Sequence, residues 1–378
     1  MNLTTAGESH GKALVAIIEG LPAHLKIDIE KINEELALRQ SGYGRGGRQK
    51  IEKDQVEILT GVRNCETLGS PVTLCIFNKD YENWANCMST GKCDEAVMAQ
   101  KSLTKLRPGH ADLTGILKYE QTDARNILER ASARETAVRV AAGSVFKQYL
   151  EAFGVQIASY VREICDIKDE KEYSFEDILQ AKSTELGILD SAVSKQAKER
   201  IDEFKAQGDT AGGVVEIRVK GLKRGFGSMM TYSEKLDARL CGELMGIQAV
   251  KGVEVGQGFA LASVSGKHAQ DEIFFENGEF LRKTNRAGGI EGGTSNGEEL
   301  ILRVAMKPIP TLMNGLRTVD YQTKEQTLAA SERSDVCAIF SLGIIAESAV
   351  AAVLSEAVSE RLGGDTMAQV IKRYEELP

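Results

Sequence analysis

Two histidines on tight turns, together with arginines set among glycines, are the residues whose types and spacing could do chemistry. His10 lies in Gly7-Glu8-Ser9-His10-Gly11 and His110 in Arg107-Pro108-Gly109-His110-Ala111-Asp112. The only other histidines are His24 and His268, so the choice of an imidazole acid or base near neutral pH is narrow. Proline and glycine stiffen the second turn, which presents Arg107 and His110 with Asp112 placed to orient the imidazole. Residues 39–50 read Arg-Gln-Ser-Gly-Tyr-Gly-Arg-Gly-Gly-Arg-Gln-Lys. Glycines there let the backbone approach a ligand, while Arg39, Arg45, Arg48 and Lys50 supply positive charge. In a chain of formal charge −8, such a cluster marks a particular anion site.

Further candidates fall along the chain. Arg130, Ser132 and Arg134 open a long helical pattern at 126–153. A second glycine-rich loop spans 287–297 and leads, through a strand, to Lys307-Pro308-Ile309-Pro310-Thr311. Arg333-Ser334-Asp335 precede an apolar helix. These residues together describe a cleft for a small, multiply anionic, phosphorylated substrate with imidazole proton transfer. They leave the reaction unnamed.

General motifs match in spelling and fail in context. As G-x-S-x-G, residues 7–11 would need a strand before Ser9 and a helix after it, yet the residues that follow, 13–19, are β-prone. As a phosphate loop the same stretch lacks a spacer and the final hydroxyl, since Ala13 stands there. Gly42, Gly44 and Gly47 have dinucleotide-loop spacing, but they close a helix capped by Asp28 and lined by Ile29, Ile32 and Leu36. The Arg-Gly-Gly-Arg core occurs once, in an acidic chain, which argues against RNA. A serine hydrolase using Ser9 and an RNA-binding module at 45–48 are the rival readings.

The elements that must position these groups read as a mixed α/β (α+β) protein. The chain has 378 residues, 42% hydrophobic and 27% charged, within the range of a soluble globular protein. Period-two alternation at 55–62 and 71–77 predicts a hairpin turning at 68–70. Residues 81–98 are irregular and hold Trp84, the only tryptophan, as a core or lid anchor. The stripe Ala133, Ala137, Val140, Ala141, Val145 and Leu150 predicts a core helix over 126–153. Residues 163–208 read as a charged helical surface excursion. Strands at 214–220, 252–262 and 299–306 and a small-residue helix at 236–250 follow. Gly154-Val155 and Gly252-Val253, each after a small-residue helix, suggest an internal duplication. The apolar run 337–354 carries Glu347 and two serines, which fits a buried helix better than a membrane span. There is no basic-then-apolar leader. The seven scattered cysteines form no C-x-x-C pair, so neither zinc nor a disulfide framework is expected, and cytoplasmic thiols are.

In their order, Gly7–Gly11, 39–50, 107–112, Glu129-Arg-Ala-Ser-Ala-Arg-Glu-Thr136, 307–311 and 333–335 resemble the chorismate synthase family over essentially the whole chain. The resemblance implies a single catalytic domain over 1–378, with central helices sandwiched between antiparallel sheets, usually as a homotetramer. It implies trans-1,4 elimination of phosphate from 5-enolpyruvylshikimate 3-phosphate with reduced FMN and no net redox change. By position, Ser9, Arg39, Arg45, Arg107, Arg134 and Glu135 would bind substrate. His10 would be the acid toward departing phosphate, His110 would protonate the reduced flavin, and Asp335 would help its N5 accept the ring proton. Matching FMN positions are Arg130, Ala131, Ser132, Gln248, Ala249, Gly293, Lys307, Pro308, Ile309, Pro310, Thr311 and Arg333. Arg39 and Arg45 also match positions assigned to NADPH, the possible reductant. No nucleic acid, membrane or metal is expected. Three departures stand out: Ala131 replaces a usual serine, Val336 a frequent proline, and Asn64-Cys65 a common His-Gly.

Overall fold

The computed structural model of the chain describes residues 1–47, 52–330 and 335–378. Strand β1 (Asn2–Ala6) pairs antiparallel with β2 (Ala13–Glu19), so the Ser9-His10 turn joins strand to strand. Leu14, Ala16 and Ile18 alternate to one face and are fully buried, which is the period-two rule for a sheet with one covered side. Helix α1 (Ile29–Gln40) starts where the Asp28 carboxylate accepts from the Glu30 and Lys31 amides, a side-chain cap. Strands β3 (Glu57–Thr60) and β4 (Val72–Phe77) complete an antiparallel sheet of order β1-β2-β4-β3. The 68–70 turn does not join them alone. A small hairpin intervenes, with Asn64 and Cys65 both left-handed at φ 51° and 59°.

The helix expected over 126–153 is two helices. Helix α2 (Arg125–Ala131) stops at Ser132, whose backbone is extended at φ −64°, ψ 140°. Its hydroxyl accepts from the Arg134 amide at 3.3 Å, and a single turn at Ala133–Glu135 leads into α3 (Thr136–Glu151). Local side-chain capping thus outcompetes continued helix. Apart from half-exposed Arg139, α3 is buried along its face from Thr136 to Leu150.

The second sheet contains β5 (Gln156–Ile164), the short β6 (Ile167–Lys168), β7 (Gly213–Lys220), β8 (Val250–Val255) and β9 (Leu300–Met306), in the order β8-β9-β7-β5-β6, all antiparallel. The strand expected over 252–262 ends at Val255 and becomes a 3-10 turn at Gly258–Ser263. Between β6 and β7, helix α4 (Ser191–Gln207) buries Ala197 and Ile201. The 163–208 segment is more than a surface excursion, because its Lys182 reaches the buried Glu347 at 2.8 Å. Helix α5 (Leu236–Met245) precedes β8, and α6 (Ile339–Leu362) follows the second sheet. Although α6 is long and apolar enough to cross a membrane, 89% of its most apolar window is buried within the protein.

Helices α3 and α6 cross at close range between the sheets. A Cβ added to Gly143 would lie 2.2 Å from the Ser348 Cβ, so only hydrogen fits there. One apolar cluster runs from Leu14 to Tyr374. The two sheets are built alike. Strand, strand, helix, strand, strand, helix describes β1-β2-α1-β3-β4-α3 and again β5-β7-α5-β8-β9-α6. The third strand of each set is irregular in its pairing, at Ile58/Thr60 and at Val250/Gly252. The duplication is therefore present in topology. Its trace is not the Gly-Val echo, since Gly154-Val155 opens a first strand while Gly252-Val253 sits in a third.

Candidate active site

The duplicated plan makes four helix ends converge. The C-terminal ends of α1 and α5 and the N-terminal ends of α3 and α6 surround a cavity of about 530 Å³, a size suited to a small ligand. Among the described residues its wall carries six permanent cations, Arg39, Arg45, Arg107, Arg134, Lys251 and Lys307, against the carboxylates Glu52 and Asp335. Helix N-termini add partial positive charge. An apolar side is formed by Leu128, Ile247, Met306, Ile309, Leu342 and Ile345.

The arginines are held by the protein's own acids and acceptors. Arg134 donates to both Asp54 oxygens, at 2.6 and 2.7 Å, and its Nε donates to the Asn78 side chain at 3.0 Å. Its guanidinium is thus committed to the protein on three donors. Arg39 Nε donates to Thr136 and Nη2 to the Ala133 carbonyl, both at 3.0 Å, with Nη1 3.8 Å from Asp54. Burial, with the Arg134 and Arg45 cations, pushes the Arg39 guanidinium down to about 9 against the pull of Asp54; it stays charged at neutral pH. Arg45 Nη1 pairs with Asp335 at 3.0 Å, while its buried Nε has no partner among the described residues. Asp335 also accepts from the Gly46 amide, so it braces the glycine-rich loop.

His10 is fixed from two sides. Its Nδ1 lies 2.9 Å from Glu129 Oε1 and its backbone amide donates to Glu129 Oε2 at 2.7 Å. The imidazole stacks on Trp84 with centroids 4.1 Å apart. Burial would raise the Glu129 carboxyl, yet the bonds and charge from His10, with Arg125, hold it below the usual value.

The His110 ring bonds differently from expectation. Asp112 is taken by Arg107, accepting from Nε and Nη2 at 2.9 Å each and from the Arg107 amide at 3.0 Å. A carboxylate beside a guanidinium forms the stronger, bidentate pair, so Asp112 does not orient the imidazole. His110 Nδ1 instead meets the Pro108 carbonyl at 3.3 Å and Nε2 meets the Thr311 hydroxyl at 3.0 Å. Since a carbonyl only accepts, Nδ1 carries the proton and Nε2 accepts from Thr311. Burial, then the Arg107 cation, pushes this imidazole below the ordinary histidine value. Lys307 donates to the Gly109 carbonyl at 2.7 Å and ties the two turns together.

Ser9, His10, Arg39, Arg45, Arg107, His110, Ala131, Ser132, Arg134, Gln248, Ala249, Lys307, Ile309, Pro310, Thr311 and Asp335 all line the one cavity. Four candidates do not. Glu135 points to a separate cavity beside β1, accepting from Thr5 at 2.7 Å and from Gln248 at 3.4 Å. Arg130 is exposed and donates to Thr5. Pro308 packs near Gly212. Gly293 accepts from the Leu236 amide at the far end of α5, about 15 Å along a ten-residue helix from the end that meets the cavity. Arg333, Ser334, Arg48 and Lys50 lie outside the described residues. Ser9 is followed by β2, so the strand-to-helix geometry of a hydrolase elbow is absent. Sequence reasoning missed Asp54, Glu52, Asn78, Lys251 and the partnership of Glu129; of these only Glu129 lay inside a recognised motif.

Comparison with known proteins agrees with this construction. The chorismate synthase family model matches residues 1–358. The chain is 51% identical to the chorismate synthase of Caldicellulosiruptor bescii, covering 99% of each. It is 52% identical to that of Geobacter metallireducens, covering 98% of this chain and 96% of the relative. A crystal structure of chorismate synthase superposes with a TM-score of 0.79 at 38% identity, over 99% of this chain and 96% of the other. With nearly its whole length matched in sequence and in fold, the chain belongs to the chorismate synthase family.

Proposed function

We propose that this chain is a carbon–oxygen lyase that removes phosphate from 5-enolpyruvylshikimate 3-phosphate by trans-1,4 elimination to give chorismate. The observation that carries the reading is the surplus of cations in one cavity, since the substrate has two carboxylates and a phosphate. Arg39, Arg45 and Arg107 are assigned to those groups, with Ser9 beside them. Arg134 is assigned to those groups as well, held in place by Asp54 and Asn78, which take three of its five N–H donors. Arg39 and Arg45 are given to the substrate in preference to NADPH, the reductant proposed for the flavin.

The residues present fit a flavin. Among the described residues, Arg45 Nε and Gln248 Oε1 are buried without partners in the cavity wall, and buried polar atoms of this kind call for a ligand. Ala249 is left-handed at φ 68°, a strained backbone at the same wall. Ala131, Ser132, Gln248, Ala249, Lys307, Ile309, Pro310 and Thr311 are the positions that would hold FMN, with Arg333 added from the family pattern. Bound reduced FMN supplies reversible electron donation that weakens the substrate carbon–oxygen bond, with no net redox change.

His10 delivers a proton from Nε2 to the departing phosphate while Nδ1 stays with Glu129. His110 exchanges a proton at Nε2, the nitrogen bonded to Thr311. Asp335 holds Arg45 and the Gly46 amide and helps pass the ring proton. The protein acts as a single catalytic domain over 1–378, in the cytoplasm, as a homotetramer, without nucleic acid or membrane. Anaerobic turnover of the phosphate ester with chemically reduced FMN, followed by chorismate absorbance and phosphate release, tests the reading. Product with reduced and not with oxidised FMN is expected; no product from folded, flavin-loaded protein would overturn it.

A further inference from the structure

We propose that Glu129 is the positioning residue for His10: it fixes which imidazole nitrogen bears the permanent proton and stabilises the ring when it is charged. The inference deepens the assignment of His10 as the acid and rests on it. Three separate bonds tie Glu129 to the Ser9-His10 turn. Its carbonyl accepts from the Ser9 amide at 2.8 Å, Oε2 accepts from the His10 amide at 2.7 Å, and Oε1 faces Nδ1 at 2.9 Å. The side chain of Glu129 is 2% exposed and that of His10 is 13% exposed.

A buried carboxylate held below its usual pKa is an anion, so Nδ1 must be the donor in this pair. That leaves Nε2 as the only nitrogen His10 can offer to a ligand in the cavity it lines. When Nε2–H passes its proton to a phosphate oxygen, the ring returns to neutral and the Nδ1–H bond to Glu129 is retained. The charged groups around the ring are Glu129 and Arg125 on α2, which pair at 3.6 Å. Lys101 and Arg125 lie over Trp84 at 4.3 and 5.1 Å, and Asp80 accepts from the indole nitrogen. Trp84 closes the remaining face and makes the arrangement observable, since it is the only tryptophan and stacks on His10.

The test compares full-length wild type, Glu129→Gln, Glu129→Asp and His10→Ala, reading kcat and KM beside tryptophan emission at a single pH. Emission should change in His10→Ala, which removes the ring stacked on Trp84, and should stay close to wild type in Glu129→Gln, which keeps that ring in place. In Glu129→Gln kcat should fall about tenfold at nearly constant KM, the mark of an acid poorly held. Glu129→Asp, which keeps the charge, should recover part of the lost kcat. A wild-type kcat in Glu129→Gln, with His10→Ala inactive, overturns this proposal alone. Full activity in His10→Ala overturns the acid assignment and the proposal with it.

Discussion

Asp54 grips Arg134 with both oxygens, at 2.6 and 2.7 Å, and also lies 3.8 Å from Arg39. One buried carboxylate therefore balances two cavity arginines. Asp54→Asn leaves that pair of cations without compensation, and a loss of about 3 kcal/mol is expected from breaking a buried ion pair. Urea unfolding measures it directly, and a midpoint equal to wild type would mean that Asp54 is not the counter-charge.

Glu347 plays a comparable part in the helical layer. It is fully buried on α6 and accepts from Lys147 at 2.6 Å and from Ser159 at 2.7 Å, with Lys182 at 2.8 Å. Glu347→Ala should destabilise the fold by about 3–5 kcal/mol, whereas a change under 1 kcal/mol in chemical denaturation would contradict this account.

Glu35 joins the same lysines and sets an acid limit. Burial opposes its ionisation, but the Lys147 and Lys182 charges and hydrogen bonds hold its carboxyl at about 2, from an ordinary 4.5. A carboxyl lowered on folding contributes stability that is full above pH 4.5 and is lost as pH falls toward 2. Stability curves for Glu35→Gln should be less stable above pH 4.5 and flatter across that window; parallel curves would exclude Glu35 as a source of the acid sensitivity.

His110 shifts in the same sense by a different cause, burial beside Arg107. Its contribution is present above the ordinary histidine value of 6.5 and is lost as pH falls through that value toward its lower folded one. Replacing it with glutamine should remove part of the stability decline below pH 6.5, checked by the unfolding midpoint at pH 7.5 and pH 5.5.

Gly143 decides how near α3 and α6 can lie. Alanine there would set a methyl 2.2 Å from the Ser348 Cβ, and a cost of about 1–3 kcal/mol is expected from overpacking. The double variant with Ser348→Gly should recover part of the lost thermal midpoint, and no recovery would place the strain elsewhere.

Sequence and structure divide the site along a physical line. Local motifs carried most of the cavity residues, since turns such as 107–112 and 307–311 are shaped by their own prolines and glycines. Asp54 was illegible because it sits in an unremarkable polar stretch before β3, and its partners are 15 and 80 residues away. Asp112 was read toward His110 because the two are only two positions apart in the chain, but folding gave the carboxylate to the stronger guanidinium partner. Glu135 and Arg130 lie beside cavity residues in sequence, yet the break at Ser132 turns them to other surfaces.

The sequence by itself determined the capped and patterned elements, the anionic character of the ligand and, through the order of six motifs, the resemblance to a family. Those features depend on backbone preference and on charge counted locally. The tertiary structure alone decided that two β-β-α-β-β-α units bring four helix ends to one cavity, and which acid serves which base within it. Such pairings are set by helix packing and by competition among buried charges, both of which act between residues remote in the chain.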